Sequence, residues 1–241
     1  MNILAIETGS TICQVGLQFK GEKAYRQLSI RSHSQVILSL IDELLAEASI
    51  AKQDIDAIAV NHGPGSFTGI RVGVSTAQGL GYALGVPVYG VSSLQILALS
   101  GYLASPSDDS QCLFATIDAR MSQIYCAWYH CNGASNINLL GMEQVISPDQ
   151  LESIQIPNDK VNLAVLGSGQ IYHDTFPAKY KALRQINNCV SMTSKASSPL
   201  EAELYMPAML DIAEHRIATV AKGDFTHSLV EPVYLRNKVT G

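Results

Sequence analysis

At 241 residues the chain has length for one large domain or two small ones, with ample core. A net charge of -5, with charged residues at 15%, argues against a disordered chain and against a strongly basic nucleic-acid binder. No apolar run is long enough to span a bilayer, strand-like sequence from Asn2 leaves no room for a signal peptide, and five cysteines (13, 112, 126, 131, 189) without a Cys-x-x-Cys pair fit reduced thiols in a cytoplasmic protein.

In chain order, residues 2–6 read as a short apolar strand ending at Glu7, and Thr8-Gly9-Ser10 as a turn. Residues 12–17 return as a second strand, Gly21-Glu22 turn again, and a third strand lies near 24–30. A helix follows from about Ser34 to Ala48. Its apolar residues Val36, Ile37, Leu38, Leu40, Ile41, Leu44, Leu45 and Ala48 cover roughly 200° of the wheel, against the ~100° stripe one core requires. An arc that wide has its own sheet to bury against and surface left for a partner.

Residues 55–60 are β-branched enough for a buried strand, and 61–73, Asn-His-Gly-Pro-Gly-Ser-Phe-Thr-Gly-Ile-Arg-Val-Gly, form a strand-to-helix turn. Gly63 and Gly65 permit backbone angles closed to other residues, Pro64 stiffens the corner, and Ser66 or Thr68 can cap the helix of 67–85. Along that helix Gly69, Gly73, Ala77, Gly81 and Gly85 recur every four residues. Each interior glycine costs about 1 kcal/mol relative to alanine, so a close-packed neighbour must offset the loss. A tight contact within the chain and a subunit interface both satisfy that demand.

With a strand at 86–91, the order is strand, strand, strand, helix, strand, helix, strand: a mixed sheet with helices packed on it, the layout of the ribonuclease H-like fold. Residues 114–120 and 124–129 repeat the opening pattern of strand, acidic end, turn and strand, with Asp118 answering to Glu7. The duplication predicts a two-lobed α/β protein: a first lobe over 1–104, a polar linker at 105–110, and a leaner second lobe over 111–241. In the second lobe come a strand at 163–166, Gly167-Ser168-Gly169, a helix near 199–221, and the tail 231–237, which can return to the first lobe.

Ile6-Glu7-Thr8, the turn 63–73, Ala77-Gln78-Gly79-Leu80, Ile117-Asp118-Ala119-Arg120-Met121 and the tail 231–237 resemble, in the same order, the TsaB (formerly YeaZ) family of tRNA threonylcarbamoyladenosine synthesis. The resemblance spans nearly the whole chain and implies the actin-like/Hsp70-like ATPase fold. It also implies a heterodimer with the larger relative TsaD, which transfers threonylcarbamoyl to adenosine 37 of tRNAs reading codons that begin with adenine. TsaE, a P-loop ATPase, docks on that pair. In TsaD a His-x-x-x-His follows the equivalent of Val91; here Ser93 and Leu97 stand in those places.

No zinc-peptidase helix and no P-loop occur in the chain, and no two histidines lie within four residues of each other, so neither a metal nor a catalytic residue is expected. Glu7, Thr8, Gly9, Ser10 and Thr11 occupy the position of a phosphate-binding turn, read as vestigial and cofactor-free; Glu7→Ala should then leave both the fold and the tRNA-modifying activity of the complex with TsaD nearly unchanged. Arg71, the pair Asp118 and Arg120, and the pair Glu231 and Arg236 fit either internal ion pairs or docking contacts, and Arg71 fits a carboxylate or phosphate contact.

The expected function is a non-catalytic partner subunit of TsaD that touches it through Val36, Leu40, Ile41, Leu44, Gly69, Gly73, Ala77 and Gly81, and that forms a homodimer when alone. The alternative is a nucleotide-hydrolysing or phosphotransferase enzyme using an interlobe cleft around Glu7. A direct tRNA-binding module is disfavoured by the acidic balance.

Overall fold

The computed structural model of the chain describes residues 1–10, 12–29, 36–105, 110–133, 136–157, 162–186, 199–219 and 229–235. The expectations for Thr11, Ile30, Ser34, Gln35, the linker centre 106–109, Cys189, Arg236 and Asn237 lie outside the described residues.

By its contacts the chain forms two units. The first comprises the described residues within Met1–Ser93 and Met209–Val233, the second those within Leu94–Ala208 and Tyr234–Gly241. This division differs from 1–104 and 111–241 at two points. The helix Ser93–Ala104 groups with the second unit from Leu94 on, and the last helix changes unit after Ala208.

The first unit is a five-stranded mixed sheet in the order β3-β2-β1-β4-β5. Its strands are β1 (Ile3–Glu7), β2 (Ile12–Phe19), β3 (Glu22–Ser29), β4 (Ala57–Gly63) and β5 (Val88–Ser92). The first three pair antiparallel, as short turns allow, and β1, β4 and β5 run parallel. Helices α1 (Ile37–Ala48) and α2 (Phe67–Leu84) cross over between them.

Strands β1 and β4 read as apolar runs because both of their faces are covered: Ile3 to Ile6 and Ala57 to Val60 are all buried. Leu4, Ile6, Val15, Leu17, Ile58 and Val60 join Ile37, Leu40, Ile41, Leu44 and Leu45 of α1 and Ile70, Val74 and Ala77 of α2 in one core.

The arc on α1 is thereby consumed within the unit. The helix packs on both β2 and β3, and this breadth takes Leu40, Ile41 and Leu44 below 8% exposure while Val36 rests partly buried against the same core. Leu38 alone of the arc stays open, at 53%. The glycine stripe is likewise internal. A β-carbon on Gly69 would lie 1.9 Å from the Thr8 carbonyl oxygen, and on Gly73 2.3 Å from Thr8 Oγ1. On Gly81 it would lie 2.4 Å from Val88 Cγ2, and Ala77 is fully buried. The eight residues expected to touch a partner thus pack on their own sheet, Val36 in part, and the faces α1 and α2 leave open are the opposite ones, with Leu38 on α1 and Phe67, Arg71, Ser75, Gly79 and Tyr82 on α2.

The second unit repeats the plan. Its sheet runs β10-β9-β6-β7-β8, with β6 (Gln111–Arg120), β7 (Gln123–Cys131) and β8 (Ile137–Ile146) antiparallel, and β9 (Asn162–Leu166) and β10 (Arg184–Ile186) parallel to β6. Read in chain order, β6 to β10 occupy the places of β1 to β5. The core on one face is Cys112, Phe114, Cys126, Trp128, Val165, Phe176 and Tyr180, with the Phe114, Trp128 and Tyr180 rings in contact. Helix α3 (Ser93–Ala104) buries Leu94, Ile96, Leu97, Ala98, Leu99 and Tyr102, so apolar residues surround it as in a helix covered on all sides. The short α4 (Ala178–Lys181) and the long α5 (Pro199–Thr219) complete the helices described.

Two alanine substitutions on α2 separate internal packing from open surface. Gly69→Ala drives a β-carbon into a backbone oxygen and should lower stability by about 3 kcal/mol or more. A β-carbon on Gly79 meets nothing within 4 Å, so Gly79→Ala should raise stability by about 0.5–1 kcal/mol. Urea unfolding of the two variants checks both signs.

Candidate functional site

The carboxyl end of β1 is where the first unit concentrates its buried polar groups. Glu7 is 1% exposed and Thr8 is fully buried. One Glu7 oxygen accepts the Gly9 N–H at 2.5 Å, and the other accepts the Asn61 side-chain amide. Asn61 Oδ1 in turn accepts the Gly63 N–H and the Ser93 hydroxyl, both at 2.8 Å. A carboxylate buried this deeply needs such donors, since an unpaired one would forfeit its hydration. Its charge is felt by Cys13, whose thiol is pushed up to about 12 by burial and by Glu7.

The turn after Glu7 is closed over by the glycine turn. Gly9 O accepts the Ser66 N–H at 2.8 Å, and Thr8 Oγ1 donates to Gly69 O at 2.8 Å. A β-carbon on Gly65 would lie 2.7 Å from Gly9 O. Gly63 has φ +111°, Pro64 follows in a cis peptide, and Ser66 caps α2 by accepting the Gly69 N–H. Ser10 makes a local turn, its hydroxyl accepting the Ile12 N–H. Arg71 places its guanidinium 3.6 Å from the Phe67 ring centroid, which accounts for a cation in the first turn of a helix.

Across the same turn lies the tail. The Val233 N–H donates to His62 O at 2.8 Å, and the Gln78 side-chain amide donates to Val230 O at 2.7 Å. His62 sits where β4 shifts register against β5, its ring beside Gly90. Burial holds His62 below its usual 6.5; a ring N–H bond to the Glu231 carbonyl opposes that shift and the Arg216 charge adds to it. Arg216 also donates to Gly90 O at 2.6 Å.

In the second unit the counterpart of Glu7 is treated differently. Asp118 Oδ1 accepts the Arg120 N–H at 2.9 Å and the Tyr172 hydroxyl at 3.3 Å, and Oδ2 pairs with the Arg120 guanidinium at 3.1 Å. The Asp118 N–H donates to Ser168 Oγ at 3.0 Å. Of the internal and docking readings of Asp118 and Arg120, the internal pair is present. The glycines of Gly167-Ser168-Gly169 are filled by Thr116: a β-carbon on Gly167 would lie 2.1 Å from Thr116 O, and on Gly169 2.7 Å from Thr116 Cβ.

Asn61, Ser93 and His62 carry more of this site than the sequence announced. A polar residue ending an apolar strand was the signal for Asn61; nothing marked Ser93 as its partner. Among the described residues no group of three or more His, Cys, Asp or Glu side chains is placed to hold a metal ion, and no helix is long and apolar enough to cross a membrane.

Two mixed sheets with the same strand plan, with a buried carboxylate at the end of β1 and another near the end of β6, define a duplicated α/β fold. A solved Pseudomonas aeruginosa structure, described as an uncharacterized protein with similarity to peptidase YeaZ, matches with a TM-score of 0.79 at 30% identity. It covers 98% of this chain and 99% of its own. YeaZ from the same organism matches with a TM-score of 0.76 at 29% identity, over 97% and 99%. The family described as TsaD, tRNA N6-adenosine threonylcarbamoyltransferase, matches residues 26–225. The tRNA threonylcarbamoyladenosine biosynthesis proteins TsaB of Haemophilus influenzae and Escherichia coli are 32% and 31% identical to the chain. They match over 100% and 99% of it and over 95% and 96% of their own lengths. The chain belongs to the TsaB (YeaZ) family, and its work lies in tRNA threonylcarbamoyladenosine biosynthesis.

Because Glu7 is bonded on both oxygens, the expectation that Glu7→Ala leaves the fold nearly unchanged is corrected. The substitution orphans the Asn61 amide and the Gly9 N–H, and should destabilise by about 1–3 kcal/mol for each; thermal and urea unfolding measure it.

A pH effect follows from His62. Its folded value lies below 6.5, so the unfolded chain binds the proton first as pH falls. Stability is present above 6.5 and is lost as pH drops below it. The melting temperature should therefore decline more steeply from about pH 7 to about pH 5 in wild type than in His62→Gln.

Proposed function

We propose that the chain is a non-catalytic partner subunit that binds and activates a TsaD-type threonylcarbamoyltransferase. The observation that carries the reading is the state of its two phosphate-turn remnants. In the first unit the Gly9 N–H, the donor a phosphate would meet at such a turn, is held by the chain's own Glu7. In the second unit both glycines of the loop are filled by Thr116. Ser93 and Leu97, where TsaD carries histidines, are buried, and Ser93 is bonded to Asn61.

The docking face is the one α1 and α2 leave open. Leu38 is 53% exposed, Phe67 50% and Tyr82 90%, and Gly79 lets another backbone approach. Large exposed apolar groups beside small ones suit helix-on-helix packing, and a specific interface would bury roughly 1,200–2,000 Å². The same face accepts a second copy when the chain is alone. TsaE docks on the assembled pair.

The test mixes the purified chain with TsaD and assays association and tRNA modification, with each protein alone as control. Leu38→Glu and Tyr82→Glu should keep the fold and weaken both association and activity tenfold or more. ATP turnover by the chain alone would favour the nucleotide-hydrolysing or phosphotransferase alternative, and retained association in both folded variants would move the interface elsewhere.

A further inference from the structure

The sequence holds a single Asn-Gly pair, Asn132-Gly133, and the fold places it where the loop between β7 and β8 begins. Cys131 is the last residue of β7 and pairs with Ile137 at the start of β8. Beyond that pair the Asn132 N–H donates to Asn136 O at 3.0 Å, and the Asn136 N–H donates to Gly133 O at 3.3 Å. Asn132 is exposed, and Gly133 has φ +93° with open space where a β-carbon would stand. A residue without a β-carbon leaves its amide nitrogen sterically free to approach the side chain of the asparagine before it.

One contact opposes that approach. The Gly133 N–H donates at 3.0 Å to the hydroxyl of Tyr102, a buried residue of α3. Helix α3 from Leu94 on and the β7–β8 hairpin belong to the same unit. Before the Gly133 nitrogen can react it must give up its proton and turn toward the Asn132 side chain. The Tyr102 hydroxyl holds both the proton and the orientation. Reaction therefore waits on a local opening of this one hydrogen bond, and local openings are far more frequent than unfolding of the whole chain.

We propose that Asn132 is a site of spontaneous deamidation and that the Tyr102 hydroxyl is the guard that sets its rate. The Gly133 amide nitrogen loses its proton to water and bonds to Asn132 Cγ. The Cγ–Nδ2 bond breaks, and ammonia leaves carrying the proton. Water then opens the succinimide ring: attack at Cγ gives an aspartyl residue at position 132, and attack at the main-chain carbonyl carbon gives an isoaspartyl one. Water enters, ammonia leaves, and nothing is oxidised or reduced. Either product takes the net charge from -5 to -6. The isoaspartyl product also adds one atom to the main chain directly after the Cys131–Ile137 pair, where Asn132 and Asn136 close the hairpin.

The test incubates the full-length chain and follows the modified fraction by isoelectric focusing and peptide mass mapping. In wild type Asn132 should deamidate faster than any other asparagine, and threefold or more slower in the native chain than in guanidinium chloride, a comparison that needs no variant. Tyr102→Phe removes the guard and should speed the native reaction threefold or more. Tyr180→Phe removes another buried hydroxyl of the same unit, one that donates to Ile154 O at 3.1 Å rather than to the hairpin, and should leave the rate within twofold. Asn132→Gln lengthens the side chain past easy ring closure and should abolish the charge variant. The proposal is overturned if another asparagine reacts first, or if native and unfolded wild type differ by less than threefold. It is also overturned if folded Tyr102→Phe gains less than threefold, or if Tyr180→Phe speeds the reaction as much.

Discussion

The first unit depends on one contact with no clearance. The Thr8 carbonyl oxygen occupies the place a β-carbon of Gly69 would need, and Thr8 Oγ1 the place Gly73 would need. Only a helix stripped of side chains along that edge can approach so closely. The approach brings Ser66 N–H onto Gly9 O and sets Ser66 to cap the helix. Glu7 and Asn61 then fix the turn from beneath, through donors that no solvent reaches. Helix propensity is given up at each glycine, and the hydrogen bonds and core that the approach allows offset it.

Much of this was legible in the amino-acid order. Strand–turn–strand patterns, the glycine beat and the Glu7–Asp118 repeat led to two mixed sheets because period, turn chemistry and burial agreed over long stretches. What misled was direction. A stripe of small residues announces a close neighbour without saying whose it is, and Thr8, 61 residues from Gly69, is invisible to a helical wheel. The wide arc on α1 failed for a similar reason, since packing on two strands at once buries more of a helix than one stripe allows. The β6–β7 tip at 120–122 was hard to read because Arg-Met-Ser is not a favoured turn sequence; its signal is Asp118, two residues upstream, whose carboxylate accepts the Arg120 N–H.

The two halves share one strand plan and use its carboxylate differently. In the first unit Glu7 faces inward, its oxygens accepting from the Asn61 amide and the Gly9 N–H. In the second, Asp118 spends them on its own hairpin and on Tyr172, which stiffens a loop that reaches solvent. The same charge near the same strand end is bonded within the chain in both, in one beneath a buried turn and in the other beneath an exposed hairpin.

Helix α5 and the tail bring a consequence for synthesis. Val230 packs against the first unit's core and Val233 bonds to His62, although both are translated long after Ser93. At about 5–20 residues per second, the roughly 140 intervening residues take about 7–28 s to emerge. Throughout that interval the nascent first unit holds its sheet without its final segments, and the surface around His62 and Gly90 stays wet. A ribosome-bound chain is thus an incomplete first unit until residues 230–233 emerge.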